Sequence, residues 1–173
     1  MTELPLSIDE RRTATDWAAD CAERVLPLFE TAAPGDARPR EAIAGAREYV
    51  RDGERTARLR TLAWAAFAAA REIGDPAATA AARAAQCAVA VPYIHPLATP
   101  HQSKHLLGPA VYAALARESA ADGDAAAARA ELRWAAAHAP SEVREVLRRF
   151  PPRAPGRTRQ VTLFHELDLA LRG

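Results

Sequence analysis

Residues 75–91 read DPAATAAARAAQCAVAV, and this alanine-dense stretch decides the fold. From residue 77 to residue 91 only three side chains are distinctly polar, so neighbouring helices can cover nearly every side of a helix formed here. We therefore predict that residues 77–91 form the central packing helix. Its distinctly polar residues are Thr79, Arg83 and Gln86.

The composition of the whole chain agrees with that helix. The 173 residues include 44 alanines, against 39 residues of Leu, Ile, Val, Met, Phe, Trp and Tyr together. Alanine has the highest helix propensity, whereas the β-branched and aromatic residues that favour strands are sparse. The length suits one domain better than two, because each of two would be poor in large apolar side chains. We predict a single all-α domain.

Capping and turn signals divide the chain into about seven to eight helices packed as antiparallel hairpins. The pattern predicts a helical domain over residues 1–150, then a Pro/Arg-rich linker and a C-terminal docking helix within residues 151–173. The tail helix could cover its own domain or a second subunit. The predicted helix boundaries are a cap at Ser7, a kink or an early end at Pro27, starts at 36–39, 74–76, 108–109, 122–124 and 140–141, and a stop at 52–53.

Residues 92–103, PYIHPLATPHQS, are the place where the helical pattern fails. Three prolines end the central helix and predict an irregular segment that lasts until a new helix starts at Gly108-Pro109. Sequences that obey local rules elsewhere tend to break them at functional or strained sites. This junction is therefore the first candidate for a site.

Charge and cysteine content narrow the function classes. The chain has 23 basic and 22 acidic residues, which argues against nucleic acid or a membrane surface as its main partner. Two cysteines, Cys21 and Cys87, are too few for a disulfide framework, and they lie in apolar helical context. No signal sequence and no run of about 18 apolar residues is present. We expect a cytoplasmic protein without metal or cofactor.

Four stretches of the sequence resemble an immunity-protein family of bacterial polymorphic toxin systems, of the kind common in actinobacteria. The similarity covers residues 9–149 approximately and implies a compact α-helical bundle that binds and neutralises a cognate protein toxin. Two regions depart from the family: the junction is longer and richer in proline, and the tail after Pro155 is unusual. The matching stretches are WAADCAERVLPLFE at 17–30, RPREAI at 38–43, DPAA at 75–78 with RAA at 83–85, and Trp134 with Ala139-Pro140 and residues 143–149.

The first predicted helix carries an acidic strip, which we define as Asp16, Asp20 and Glu23. A toxin that attacks nucleic acid would present a basic surface complementary to this strip. An ordinary solvated helix face, with Arg12 and Arg24 as ion-pair partners, is the alternative interpretation. Arg83 in the central helix needs a partner when buried, and we expect Asp20 or Glu23 to supply it.

The histidines of the junction support a second hypothesis. His101 and His105 have the spacing that a metal pair would use on one helix, but Pro100 and Pro109 argue against a regular helix there and no carboxylate is near in sequence. We therefore expect loop histidines that bind backbone groups. If the protein is an enzyme or a small-molecule binder, the predicted site is a pocket lined by His95, His105, Tyr93 and Tyr112, with acid–base work by a histidine.

The leading hypothesis is a non-enzymatic binding protein whose partner is a toxin. A metal-independent enzyme or small-molecule binder on the same scaffold is the alternative, and a homodimer is compatible with either. The predicted binding residues are Asp16, Asp20, Glu23, Arg83, His95, His101 and His105. The three tryptophans, Trp17, Trp64 and Trp134, are interpreted as core residues or groove walls.

Overall fold

In a computed structural model, residues 3–173 are described, and they form nine α-helices, one short 3₁₀ turn and no β-strand. A single bridge pairs Glu3 with Leu97. The all-α prediction is confirmed. The helices are α1 (Ile8–Glu23), α2 (Leu26–Ala32), α3 (Arg38–Asp52), α4 (Ala57–Glu72), α5 (Pro76–Ala90), α6 (Pro100–Ala120), α7 (Ala125–His138), α8 (Ser141–Arg149) and α9 (Arg159–Arg172), with the 3₁₀ turn at Val91–Tyr93.

The helix ends follow from local chemistry. Ser7 and Glu10 form a capping box at the start of α1, in which each side chain accepts a hydrogen bond from the other residue's backbone N–H. Asp75 caps α5, with its carboxylate accepting from the N–H of Ala78 at 2.8 Å. Gly53 ends α3 with a φ of 71°, a left-handed conformation that glycine adopts without strain. These ends lie where the sequence predicts them.

The α5 helix lies at the centre of the fold. It packs against α1, α2, α3, α4 and α6, and most of its alanines are buried. Small side chains let the helix axes approach closely, and Gly108 of α6 brings its backbone against Cys87, where an added Cβ would lie 3.2 Å from the Cys87 Sγ. The core is therefore built from close helix contacts, with larger side chains such as Trp17 and Phe29 around them.

The predicted helix start at Gly108-Pro109 is wrong. The α6 helix begins eight residues earlier at Pro100, and Pro109 lies inside it. Proline is tolerated at the first turn because the N–H there has no helical partner. Burial of Ser103 and Leu106 to Ala110 against the core outweighs the hydrogen bond that Pro109 cannot donate. Within the junction, only residues 94–99 lie outside a helix.

Of the two alternatives at Pro27, the early end holds: α1 ends at Glu23, and Pro27 occupies the first turn of a separate short helix, α2. This helix accounts for nine helices in the described residues where eight at most are predicted. The tail helix α9 packs on α6, α7 and α8 of its own chain. The division of the chain at residue 150 stays a prediction. The buried residues of α9 are Leu163, Phe164, Leu167, Asp168 and Leu171.

Candidate functional site

The acidic strip lies on one side of α1, and a single arginine of α3 holds it. The side chains of Asp16, Asp20 and Glu23 are 51%, 49% and 50% exposed. The guanidinium of Arg47 donates to all three, at 2.6 Å to Asp20 and 2.8 Å to Glu23. Three carboxylates less one guanidinium leave two negative charges at this surface. The strip is therefore ordered and still anionic.

The expected partners of the strip, Arg12 and Arg24, are wrong. Arg24 pairs with the buried carboxylate of Glu131 on α7, at 2.6 and 3.1 Å, and its guanidinium lies 3.9 Å from the ring centroid of Trp134. Arg12 donates to the backbone carbonyl of Val50 at 2.7 Å. Arg12 also pairs with Asp9 of the same helix at 3.6 Å, and Arg24 is the residue that caps the end of α1. The arginine that pairs with the acidic strip is therefore Arg47.

Open clefts border the acidic strip on both sides. One of about 470 Å³ lies along α2 and α3 and reaches Glu23 and Arg47. The other, of about 370 Å³, lies between α1 and the α7–α8 turn and reaches Asp16 and Asp20. Their walls carry many charged side chains, unlike the mostly apolar walls of small-molecule sites. A grooved, charged surface of this kind suits a protein partner.

Arg83 does not meet the acidic strip, so the predicted pairing with Asp20 or Glu23 is wrong. Its guanidinium lies 4.8 Å from the ring centroid of Phe67 and 5.0 Å from that of Tyr112. It also donates to the Tyr112 hydroxyl at 3.1 Å. Arg83 therefore faces α4 and α6, on another side of α5, while Arg47 occupies both carboxylates.

His101 and His105 share α6, so the prediction that prolines prevent a regular helix there is wrong. Their ring centroids are 5.6 Å apart in an edge-to-face arrangement. Burial lowers the pKa of His105, and the charges of His101, Lys104 and His95 lower it further, which favours the neutral form of its imidazole. In the described part of the chain, no group of three or more His, Cys, Asp or Glu side chains is placed to hold a metal ion.

The four residues of the predicted enzyme pocket have different surroundings. The Tyr93 hydroxyl donates to the carbonyl of Thr56 at 2.6 Å. The Tyr112 hydroxyl accepts from Arg83 and also from Gln160 at 3.0 Å. A cavity of about 200 Å³ that Tyr93 lines is not lined by His95, His105 or Tyr112. The pocket hypothesis stays a prediction, because no hydrogen bond and no ring pair joins any two of these four residues in the described part of the chain.

Residues 4–142 match the family described as Imm-5 like putative immunity protein. The chain belongs to that family. No curated protein and no solved structure gives a significant match. The family region covers α1 to α7 and all the candidate site residues, and it ends within α8. Across residues 3–173, no helix of this family member is long and apolar enough to cross a membrane.

Of the two cysteines of this Imm-5 like chain, Cys21 is buried and Cys87 is half-buried on the central helix α5. Burial raises the pKa of Cys87 to about 11 and raises that of Cys21 further. Neither is paired in a disulfide. A thiol that stays protonated at neutral pH is a poor nucleophile, which agrees with their interpretation as small buried hydrophobes.

Of the two interpretations given for the tryptophans, core residue or groove wall, the second holds for Trp64, which lines a groove between α4 and α5. Trp17 is buried in the core, whereas Trp64 is 70% exposed. At about 100° per residue, Trp64 lies roughly 140° around α4 from the buried Leu59, on the exposed side of the helix. That spacing is a signal the sequence already contains. We define the Trp64 face as Arg60, Trp64, Phe67 and Arg71 of α4, with Gln86 and Tyr93 beside them.

Proposed function

We propose that this protein is an immunity protein that binds a cognate protein toxin in the cytoplasm and blocks it by covering its active surface. Membership of the Imm-5 like family supports a role in immunity. The acidic strip supplies the binding surface in this proposal. Its partner is a toxin with a basic surface, as a toxin that acts on nucleic acid would have.

The observation that carries this proposal is the arrangement of three carboxylates around Arg47. Four hydrogen bonds from one guanidinium, one of them to the Asp16 backbone carbonyl, hold Asp16, Asp20 and Glu23 in place before any partner arrives. Side chains that are already ordered lose less conformational entropy on binding. A fixed anionic surface also steers a cationic partner towards it and speeds association.

The two clefts beside the strip give the surface its shape. Each is bordered by strip carboxylates and by residues of a second element, α2–α3 on one side and the α7–α8 turn on the other. Basic side chains of a toxin can reach the carboxylates while neighbouring residues enter the clefts. Because helices form most of the walls, we expect little backbone movement on binding.

Binding to a toxin encoded beside this gene tests the proposal. We expect one-to-one binding by isothermal titration calorimetry and survival of cells that co-express the two proteins. The variant Asp16→Asn/Asp20→Asn/Glu23→Asn should bind on the order of 100-fold more weakly, because it removes the charge that matches the toxin. Its association rate should also lose most of its dependence on ionic strength.

A charge-matched control separates the strip from a general effect of net charge. Asp122→Asn/Glu145→Gln/Glu166→Gln changes the net charge by the same amount but lies on the α6–α7 turn, α8 and α9. We expect this control to bind as the wild type does. Absence of binding and of protection would contradict the proposed function. Equal losses in the two triple variants would contradict the assignment to the acidic strip.

A further inference from the structure

The Trp64 face has properties that the acidic strip does not explain. Trp64 is 70% exposed, and its ring lies edge-on to Phe67 with centroids 6.0 Å apart. Large exposed aromatic side chains are the residues that most often anchor protein interfaces. Arg60 and Arg71 lie four residues before Trp64 and four residues after Phe67, so the two arginines flank the aromatic pair along α4.

The arginines of this face are not used in ion pairs. Arg60 lies 4.5 Å from the ring centroid of Tyr93, and Arg71 lies 5.9 Å from that of Phe67. Neither forms a salt bridge with a carboxylate of residues 3–173, and the same holds for Arg55 and Arg83. A guanidinium over a ring keeps its N–H donors free at its edge. The face therefore offers donors to an anionic group.

A groove between α4 and α5 lies beside Trp64. Its volume is about 200 Å³, and its walls, which include Leu59, Ala63 and Tyr93, are mostly apolar. Gln86 also lines it, and the side-chain Oε1 of Gln86 is buried without a hydrogen-bond partner in the described residues. A buried acceptor without a donor is unfavourable. Because this oxygen is out of contact with solvent, the Gln86 amide must turn towards the groove before a ligand N–H can reach it.

We propose that the Trp64 face binds an acidic segment of a protein partner. One apolar side chain of that segment packs in the groove against Trp64, and a backbone N–H donates to Gln86. Carboxylates of the segment pair with Arg60 and Arg71. This site lies on α4 and α5, so it is separate from the acidic strip of the proposed function.

The charges near the Trp64 face indicate which class of partner can bind there. Between residues 57 and 90, the only carboxylates are Asp75, which caps α5, and Glu72, which pairs with Arg38 at 2.7 Å. A second copy of this chain would place arginines against arginines across a twofold axis, which is unfavourable. A partner that brings its own carboxylates has no such cost. The apolar groove and the net charge of only +1 favour a protein segment over nucleic acid.

Selection from a random twelve-residue peptide library displayed on phage, with the purified full-length protein as target, tests the proposal. We expect the enriched peptides to carry net negative charge and at least one large apolar residue. Fluorescein-labelled copies should bind in solution by fluorescence anisotropy. Trp64→Ala and Arg60→Glu should each weaken that binding at least tenfold, because one removes the anchor and the other reverses the charge.

Matched controls change equally exposed positions elsewhere. Leu169→Ala removes another large exposed apolar side chain, 57% exposed on α9, and Arg157→Glu reverses an exposed charge in the linker. Both should bind the peptides within twofold of wild type. The acidic-strip triple variant should bind the peptides as tightly as the wild type does. Peptide binding therefore does not depend on the acidic strip, and the toxin-binding proposal can fail without affecting this one. Circular dichroism of Trp64→Ala and Arg60→Glu should show the wild-type fold.

Four outcomes would overturn the proposal. The first is a selection without enrichment, and the second is enrichment of peptides with no excess of acidic residues. The third is peptide binding that Trp64→Ala and Arg60→Glu leave unchanged, or that the acidic-strip variant abolishes. The fourth is tighter, Trp64-dependent binding of a fluorescein-labelled twelve-nucleotide single strand, which would make the face a nucleic-acid site.

Discussion

The α1 side of the molecule and the Trp64 face use arginine in opposite ways. On the α1 side, Arg24 and Arg47 are bound by carboxylates of other helices. On the Trp64 face, Arg60 and Arg71 lie over aromatic rings without a carboxylate partner in residues 3–173. The same side chain therefore ties helices together in one place and stays available to a ligand in the other. Changes to single side chains test this difference.

The largest effect is expected at Glu131, the buried carboxylate that joins α1, α6 and α7. Its side chain is 5% exposed and pairs with Arg24 at 2.6 Å and with Arg117 at 3.4 Å. Glu131→Ala leaves the guanidiniums of Arg24 and Arg117 without a carboxylate partner. Because these side chains are 33% and 38% exposed, the loss in the free energy of unfolding should be smaller than for a fully buried pair, about 2 kcal/mol. Urea denaturation followed by circular dichroism measures it.

Glu145→Ala on α8 is the control for that change, because Glu145 is exposed and makes no ion pair in the described part of the chain. It should change the free energy of unfolding by less than about 0.5 kcal/mol. If Glu131→Ala were as mild as Glu145→Ala, arginine–carboxylate pairing would not be what ties the α1 side together.

A smaller effect is expected from pH, through Glu10 at the start of α1. The pKa of Glu10 is lowered from 4.5 to about 2, chiefly by its hydrogen bonds with Arg149 of α8. A carboxyl whose pKa is lower in the folded protein stabilises it above pH 4.5, and that contribution is lost as the pH falls from 4.5 to 2. The stability difference between wild type and Glu10→Gln should therefore shrink over that range.

Urea denaturation at pH 6, 4 and 3 measures the difference, which we expect to be on the order of 1–2 kcal/mol at pH 6. The paired comparison matters because Asp36 and Glu72 also have lowered pKa values, owing to Arg38, and titrate in the same range. Their contribution is common to both proteins and cancels. A difference that stays constant from pH 6 to pH 3 would show that the Glu10 charge does not stabilise the fold.

Helix positions could be predicted from the sequence because their determinants are local. Ser7, Asp75 and Gly53 act on backbone groups within a few residues, and the structure has them where the sequence indicates. The start of α6 could not be predicted in the same way. Local rules place a break at Pro109, but contact of Gly108 with α5 and burial of the surrounding turn decide the conformation.

The partners of charged side chains were less predictable than the helices. The sequence places Asp20 and Glu23 together on α1, and the structure does bring them to one guanidinium. Which guanidinium it is depends on how α1, α3 and α5 are rotated about their axes, and helical spacing alone does not contain that information. Arg47 was therefore missed, and Arg83 was assigned carboxylates that lie on another side of α5.

The smallest effects are expected when one arginine of each surface is removed, Arg47 on the α1 side or Arg60 on the Trp64 face. Arg47→Ala removes the cation that three carboxylates share, so their mutual repulsion should lower the free energy of unfolding by about 1 kcal/mol. Arg60→Ala removes only an exposed contact with the Tyr93 ring and should cost at most about 0.5 kcal/mol.

Asp20→Asn in the Arg47→Ala background sharpens this result. It removes one of the repelling charges, so it should recover part of the lost stability, whereas the same change in the wild type removes an attraction and should not stabilise. Urea denaturation of the four proteins gives this coupling as a double-mutant cycle. Equal losses in Arg47→Ala and Arg60→Ala, with no coupling to Asp20, would mean that arginine plays the same structural role on both surfaces. A larger loss in Arg47→Ala, coupled to Asp20, would locate the structural arginines on the α1 side and leave Arg60 free for a ligand.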